Sequence, residues 1–421
     1  MPISSPELVV VGAGPSGSAA VASLVRHRNV NRVLWLESKT FPRAKPCGDA
    51  WGPRGIRVIR QMGALERFMA GARGAVEALE LFLPDGQRLR VPLPTPMVVV
   101  TRRHGDSILR DRALELAGSS VKIIEGTRVL GPILETAPEG ERVVGLRTNR
   151  GDVRARLVLD ASGASSQISP TFNPGKSDPD RTHSACRTYF EGVEGLGKGI
   201  ELYVAEGIPG YFWIFPLGRG DGIANVGWGV HRIWLEERGI KLEEACELFM
   251  DAHPSIRRRM SGASALAPYR RWILGLHTPD MVTHAPGLFL VGEAANLVQT
   301  ATGAGLPYAL MSGWASGRHV AKALSDPSLE EHERLRYHRW LRRAFLRELT
   351  YDPGTEISKL FRTPRARRMD WGLRGVAAAM GLVDRLAQSL GAGAHQLAGI
   401  SSAARDSGFQ EVRGPETTRE D

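Results

Sequence analysis

Apolar residues fall first into short unbroken runs, then into a long alternating middle section, and finally into helical spacing. The first run, Leu8-Val9-Val10-Val11, is apolar on both faces and too short for a helix, which predicts a buried strand. It leads straight into Gly12-Ala13-Gly14-Pro15-Ser16-Gly17 and then into a small-residue helix carrying Ala19, Ala20 and Ala22. Further runs at 33–36, 121–124, 157–160 and 289–291 repeat the signature of a parallel sheet between helices. Pro53 opens and Gly63 closes a helix with Ile56, Ile59 and Met62 on one face. Other helices are expected over 106–117, over 242–252, and from the turn at 302–305 to about Ala323.

Alternation predicts the rest. Strands are expected at 78–83 and 88–92 around the turn Pro84-Asp85-Gly86, at 97–101, and at 127–130 and 142–148. Four more follow at 187–192, 200–204, 210–215 and 223–230. The segment 41–53 holds too much Pro and Gly for regular structure and reads as a fixed loop. The expected fold is α/β, a Rossmann-like dinucleotide-binding domain with an inserted antiparallel-sheet substrate domain and a C-terminal helical region. The first comprises 1–75, 97–166 and 282–325; the second comprises 76–96 and 167–281. Residues 326–402 form the helical region, with Leu335, Trp340, Leu341, Phe345 and Leu349 as its apolar positions, and 403–421 are expected to be a disordered tail. Arg365, Arg367 and Arg368 before Trp371 offer two readings, a peripheral membrane contact or a helical cap packed on the body.

The glycines carry the first chemistry. Gly12 permits the tight turn, Gly14 the approach of backbone to a pyrophosphate, and Gly17 with Ala19 the packing of helix on sheet. Free N–H groups at the helix start then face the anion. Glu37, ending the second strand, stands where a carboxylate accepts adenosine ribose hydroxyls and would repel a ribose phosphate, so FAD or NAD is expected rather than NADP. A second glycine-rich helix start, with Gly303 and Gly305, follows Gly292-Glu293 far down the chain. FAD is long enough to touch both. Tyr211, Trp213 and Phe215 alternate and so share one face of a strand, toward a flavin pocket or toward a core.

Composition narrows the classes. The chain has 421 residues and a formal net charge of +10, with abundant arginine that could meet anionic ligands, donors or membrane surfaces. No nucleic-acid motif appears, and no apolar run reaches about 18 residues, the length for a membrane span. The three cysteines, Cys47, Cys186 and Cys246, suit neither a disulfide framework nor a metal site. A cytoplasmic protein with reduced thiols is expected, with membrane association through the basic helices as the variant.

Phe41-Pro42-Arg43 with Lys45, Cys47 and Gly48, then Pro209-Gly210-Tyr211-Phe212-Trp213-Ile214-Phe215-Pro216 and Asn225-Val226-Gly227, resembles the geranylgeranyl reductase family of flavoproteins. The match runs over about residues 7 to 325. That family sits within the larger group typified by p-hydroxybenzoate hydroxylase, which also holds flavin-dependent halogenases. The resemblance implies a Rossmann-like FAD-binding domain and FAD rather than NAD. It implies Gly12, Gly14 and Gly17 at the pyrophosphate, Glu37 at the ribose, Arg102 along the ribityl and phosphate chain, and Val129 at the adenine. Glu293, Gly305 and Leu306 would meet the ribityl chain and flavin ring, near Gly292 and Gly303. Cys47, Gly48 and Ala50 would line the loop beside the isoalloxazine. The chain departs from the family at Glu293, usually Asp, at Ser162-Gly163, usually Asp-Gly, and at Gln299-Thr300-Ala301, where a proline is usual.

The leading expectation is reduction of carbon–carbon double bonds in an isoprenoid or other apolar substrate. NAD(P)H or a reduced protein donor would supply electrons, with Tyr211, Trp213 and Phe215 as walls. Cys47 is one candidate proton donor, Tyr211 or a water another. The alternatives are an FAD-dependent monooxygenase or a halogenase, although no halogenase-type lysine motif accompanies the aromatic strand, or a flavin-carrying scaffold without turnover.

Overall fold

The computed structural model describes residues 6–350 apart from 28–29, 139, 219–221 and 301. The expectations for the arginine cluster near Trp371, for the helical region past residue 350 and for the tail lie outside the described residues. The first sheet has six strands in the order His284–Ala285, Leu288–Leu290, Leu157–Asp160, Leu8–Val11, Val33–Leu36, Val121–Ile124. All pair in parallel except the two-residue first strand. Val9 lies between Val158 and Leu34, and every residue of the three central strands is buried, which is why these runs show no polar alternation.

The helix Pro15–His27 packs on this sheet and is covered in turn by Leu306–Ser325. Small residues set that distance. A Cβ on Gly313 would stand 2.1 Å from the Ser16 carbonyl oxygen, and one on Gly317 would stand 2.4 Å from that of Ala20. The helix Glu330–Thr350 buries Tyr337, Leu341, Phe345 and Leu349 in the same apolar core, whereas Leu335 is 41% exposed and takes no part.

The second sheet has nine strands. Its path runs Ser264–Ala265, Thr182–Glu191, Ala224–His231, Gly210–Pro216, Gly199–Tyr203, Gly74–Phe82, Arg88–Val99, Ala50–Trp51, and Arg270–Gly275 also pairs with Thr182–Glu191. Several elements differ from the sequence reading, three of them beside the site. The strands expected at 88–92 and 97–101 are one strand through Pro92, Pro94 and Pro96, with a bulge opposite Glu77. Prolines are tolerated there because the outer neighbour, Ala50–Trp51, pairs only with Val98 and Val99. The loop expected at 41–53 contains that short strand. Arg270–Gly275 was not foreseen because its arginines hide the alternation. A three-stranded sheet, Val129–Ala137, Gly140–Thr148 and Val153–Arg154, completes the fold.

One face of the nine-stranded sheet rests on its own core, where Phe212, Ile214, Trp228 and Tyr203 meet Leu242, Ala245 and Phe249. The helix Leu242–Ala252 supplies the last three. Tyr211, Trp213 and Phe215 therefore turn to the other face, toward the glycine loops. Among the described residues no helix is long and apolar enough to cross a membrane, and no cluster suits a metal ion.

Candidate active site

The nucleotide cradle forms where the central strand ends. Gly12 sits at φ +92°, and a Cβ there would lie 2.6 Å from the Ala161 carbonyl oxygen. A Cβ on Gly17 would lie 2.0 Å from the Gly12 carbonyl oxygen, so glycine alone allows the helix to start this close, with Ala19 fully buried behind it. Gly14 is different. A Cβ there would meet only the Arg43 guanidinium, 3.3 Å away, which leaves an open, electropositive spot at a helix start. Glu37 is buried beside it. Its Oε2 accepts from the Ala13 N–H at 2.7 Å and its Oε1 from that of Lys39 at 2.8 Å. Val129 begins its strand close by, since the Thr127 N–H donates to the Glu37 carbonyl at 2.8 Å, and the Thr127 hydroxyl is buried with no partner among the described residues. Tight glycines, an open cationic spot, a ribose-ready carboxylate and a spare hydroxyl together fit an adenine dinucleotide.

The second glycine region closes against the first. Gly292, at φ +57°, donates its N–H to Ser312 Oγ at 3.0 Å, and a Cβ on it would stand 3.1 Å from Ser16 Oγ. Gly303 is at φ +64°, Gly305 precedes the helix and Leu306 begins it.

The loop at 41–52 joins the two sheets through charge. Arg102 is buried, and its Nε and Nη2 each lie 2.7 Å from one oxygen of Asp106, which also takes Arg43 Nη1 at 3.0 Å. Burial alone would raise the Asp106 carboxyl, but Arg102 outweighs it and holds the group below the usual carboxylate range. The Arg102 N–H donates to Asp49 Oδ1 at 3.0 Å. Asp49 Oδ2 accepts from Tyr189 Oη at 2.7 Å and Asn225 Nδ2 at 2.9 Å. Asn225 Nδ2 also donates to the Cys47 carbonyl at 2.5 Å, and its Oδ1 accepts from Trp213 Nε1 at 3.0 Å. One amide thus fixes loop, acid and indole together.

The aromatic strand touches the loop and the second glycine region. A Cβ on Gly48 would sit 2.4 Å from Cε2 of Phe215, so the loop backbone lies flat on that ring. Tyr211 Oη donates to the Thr302 carbonyl at 2.5 Å, and a Cβ on Gly303 would stand 3.6 Å from that Oη. Trp213 lies between them, with ring centroids 5.8 Å from Tyr211 and 6.0 Å from Phe215. Burial, then the neighbouring Cys47, pushes the Tyr211 phenol up to about 12. Burial likewise pushes up the Cys47 thiol, against the pull of Arg102. Both groups carry their protons at neutral pH.

Glu293 is held by Lys45 Nζ at 3.0 Å and Trp272 Nε1 at 3.3 Å, and Lys45 also lies 4.8 Å above the Trp272 ring. Lys176 is buried behind it, donating to the carbonyls of Glu293 and Ala294 at 3.3 and 2.7 Å. Burial pulls this ammonium down to about 8, against Asp160 and Glu293. All the residues expected from sequence thus stand around two glycine regions and the loop between them; Ala50 opens the short strand beside Val99. Sequence reasoning missed Asp49, Asn225, Tyr189, Arg187, Lys176 and Trp272 as site residues. Asn225 had a signal, a lone amide in an otherwise apolar strand.

No family model matches the chain. It is 31% identical over 337 residues to digeranylgeranylglycerophospholipid reductase 2 of Methanopyrus kandleri, covering 76% of this chain and 78% of that one. It is 30% identical over 351 residues to a menaquinone reductase of Mycobacterium tuberculosis, covering 77% and 78%. A geranylgeranyl bacteriochlorophyll reductase-like structure from Thermoplasma acidophilum superposes with a TM-score of 0.71 at 21% identity, over 91% of this chain and 98% of that one. A flavin-dependent brominase gives 0.68 at 19% identity, over 90% and 94%. At these identities the two structures speak for the fold alone. Cradle, fold and relatives define an FAD-dependent oxidoreductase. More narrowly, the chain belongs to the geranylgeranyl reductase family.

Proposed function

We propose that this protein reduces carbon–carbon double bonds in the isoprenoid chain of an apolar small molecule. What supports the reading is the position of one strand. Tyr211 at Gly303 and Phe215 at Gly48 tie the second glycine region and the loop at 41–52 to the same aromatic face, so a substrate on that face would border the flavin ring site. The relatives' names add support, one acting on a digeranylgeranyl phospholipid and one on a menaquinone. Gly12, Gly14, Gly17, Ala19, Glu37, Arg102 and Val129 would hold the nucleotide half of FAD. Gly292, Glu293, Gly303, Gly305, Leu306, Cys47, Gly48 and Ala50 would hold the ribityl and ring half. When bound and reduced, the flavin supplies the hydride.

The chain supplies walls and a proton. Trp213 and Phe215 exclude water from the alkene, and Asn225 keeps the indole in place. A proton is stored at Cys47 Sγ, which lies against Arg102, or at Tyr211 Oη, which is committed to the Thr302 carbonyl. Electrons come from NAD(P)H or a reduced protein donor, and an apolar substrate of this kind would be met by peripheral contact with a membrane. The inserted sheet, 76–96 with 167–281, acts as the substrate domain.

Anaerobic incubation of photoreduced, FAD-loaded protein with a geranylgeranyl lipid tests this. Product gaining two hydrogens per bond, with matching flavin reoxidation, is expected. An unchanged polyene, or a product gaining oxygen only when air is admitted, refutes it and in the second case points to a monooxygenase.

A further inference from the structure

Lys176 is a buried charge that neither the pocket walls nor the proton supply uses. It is only 4% exposed and lies in the turn after the short helix Ser169–Phe172. Its backbone is pinned there. The Lys176 N–H donates to the Asn173 carbonyl at 3.1 Å, and the Asn173 amide donates to the Val282 carbonyl at 3.0 Å and accepts from the Val282 N–H at 2.7 Å. The ammonium commits two of its three protons to one turn, on the carbonyls of Glu293 at 3.3 Å and Ala294 at 2.7 Å, and meets no third acceptor among the described residues.

Burying an ammonium is disfavoured unless other groups offset it. Two carboxylates act on Lys176 by charge, Asp160 and Glu293, but each is bonded elsewhere. Asp160, itself fully buried, accepts from the Ser162 N–H and hydroxyl on one oxygen and from the Ser166 hydroxyl on the other. Glu293 is taken by Lys45 and Trp272. Lys176 and Asp160 are thus each solvated by dipoles rather than by one another. Charges held apart in this way keep a field that a closed ion pair would cancel.

The turn directs that field. N–H and C=O point in opposite directions across each planar trans peptide, so an ammonium on the carbonyls of Glu293 and Ala294 polarises the N–H groups of Ala294 and Ala295 and makes the far side of the turn more positive. Gly292, at the head of the same turn, lies against Ser16 of the first glycine region. Reduction adds negative charge to a flavin ring that is neutral when oxidised, so a positive turn favours the reduced form.

We propose that Lys176 is a positioning residue for the flavin: by clamping the turn Gly292–Ala295 it holds Glu293 to the cofactor and biases the site toward the reduced form. This rests on the FAD-binding part of the reductase reading and not on the choice of substrate. A unit charge acting over roughly 10 Å at an effective dielectric constant of about 20 moves an equilibrium about tenfold.

The test reads the cofactor without turnover. FAD-loaded protein is reduced anaerobically together with a reference dye, and the offset of its midpoint from that of free FAD gives the ratio of affinities for reduced and oxidised cofactor. Lys176→Gln should lower that ratio about tenfold at pH 7, and Lys176→Arg, which keeps the charge, should restore it. Burial brings the ammonium down to about 8, so its charge is present below that pH and lost above it. The gap between parent and Lys176→Gln should therefore close by about pH 9.5, while Lys176→Arg keeps its ratio. Asp160, Glu293 and, through Glu293, Lys45 are the charged groups that face Lys176; parent and variants share them, so their own titration cancels in the comparison. A gap below about twofold at pH 7 overturns the assignment. So does a gap undiminished at the alkaline end, or an equal loss in Lys176→Gln and Lys176→Arg. Where Lys176→Gln fails to fold, the parent and Lys176→Arg decide the matter, and the same pH course in both overturns it. Protein that takes up no FAD removes the cofactor reading itself. The expected gap with no alkene reduced in the anaerobic assay leaves Lys176 in its role and removes only the reductase.

Discussion

Asn225→Ala removes the amide that binds three parts of the site at once. Asn225 is fully buried, and the substitution takes from Trp213 Nε1 its acceptor, from the Cys47 carbonyl one donor and from Asp49 Oδ2 another. Asp49 keeps Tyr189 and Arg102, so its loss is small. The indole N–H costs ~1–3 kcal/mol as a buried unsatisfied donor, and the part-buried Cys47 carbonyl costs about 1 kcal/mol because water can replace its partner. The expected total is about 2–4 kcal/mol. Asn225→Asp keeps the shape but sets a carboxylate against Asp49 and the Cys47 carbonyl, so at pH 7 it should cost more than alanine and recover as acid protonates one of the pair. Urea unfolding at fixed excess FAD measures both, through a lower midpoint at unchanged slope. An alanine variant within about 0.5 kcal/mol of the parent, or an aspartate variant more stable than alanine at neutral pH, would refute the network.

Gly17→Ala should give protein that purifies without flavin and unfolds earlier, because its Cβ would lie 2.0 Å from the Gly12 carbonyl oxygen and the backbone cannot yield there; normal FAD content would contradict this. Burial lowers His277 and His284 from 6.5 to about 4, with Arg334 and His338 adding to the effect at His284. Folded histidines with depressed values give stability that is whole above about pH 6.5 and is lost as pH falls toward 4. Urea midpoints should therefore drop steadily over that window, and His284→Asn should flatten the slope. Cys47 should alkylate slowly at pH 8, with its rate rising only above the ordinary thiol value of 9.0, and added FAD should slow it further. Fast labelling at neutral pH, unaffected by FAD, would remove Cys47 from the flavin face.

Much of the architecture was legible because it is local. The central strands announce themselves by being buried on both sides, and Gly12 and Gly17 by contacts within a few residues of each other and with Ala161. Pro53 and Gly63 bound the helix Pro53–Met62, where the C-terminal glycine takes the left-handed conformation. Prolines misled at Arg88–Val99, since sequence shows that their N–H is missing but not that the neighbouring strand is too short to need it. The polar half of the site was hidden for another reason. Asp49 gains meaning only when Tyr189, 140 positions away, and Asn225, 176 away, fold back onto it. Such pairings depend on the order of strands in the nine-stranded sheet, which alternation cannot supply.

The departure at Glu293 becomes intelligible in the same way. Its carboxylate spans from the turn after Leu288–Leu290 to Lys45 in the loop and to Trp272 on the far strand, which requires both oxygens to reach different elements. Burial opposes the charge, but Lys45 and the indole N–H hold the group below the usual carboxylate range. A Cβ on Gly163 would stand 3.2 Å from Lys45 Nζ and 3.7 Å from Glu293 Oε2, so this ion pair lies directly over the Ser162-Gly163 position where the chain also departs from its family. The two departures are neighbours in space. At that turn Ser162 donates its N–H and its hydroxyl to Asp160 Oδ1, while the longer Glu293 carboxylate reaches Lys45 and so ties the loop bearing Cys47 to the turn after Leu288–Leu290.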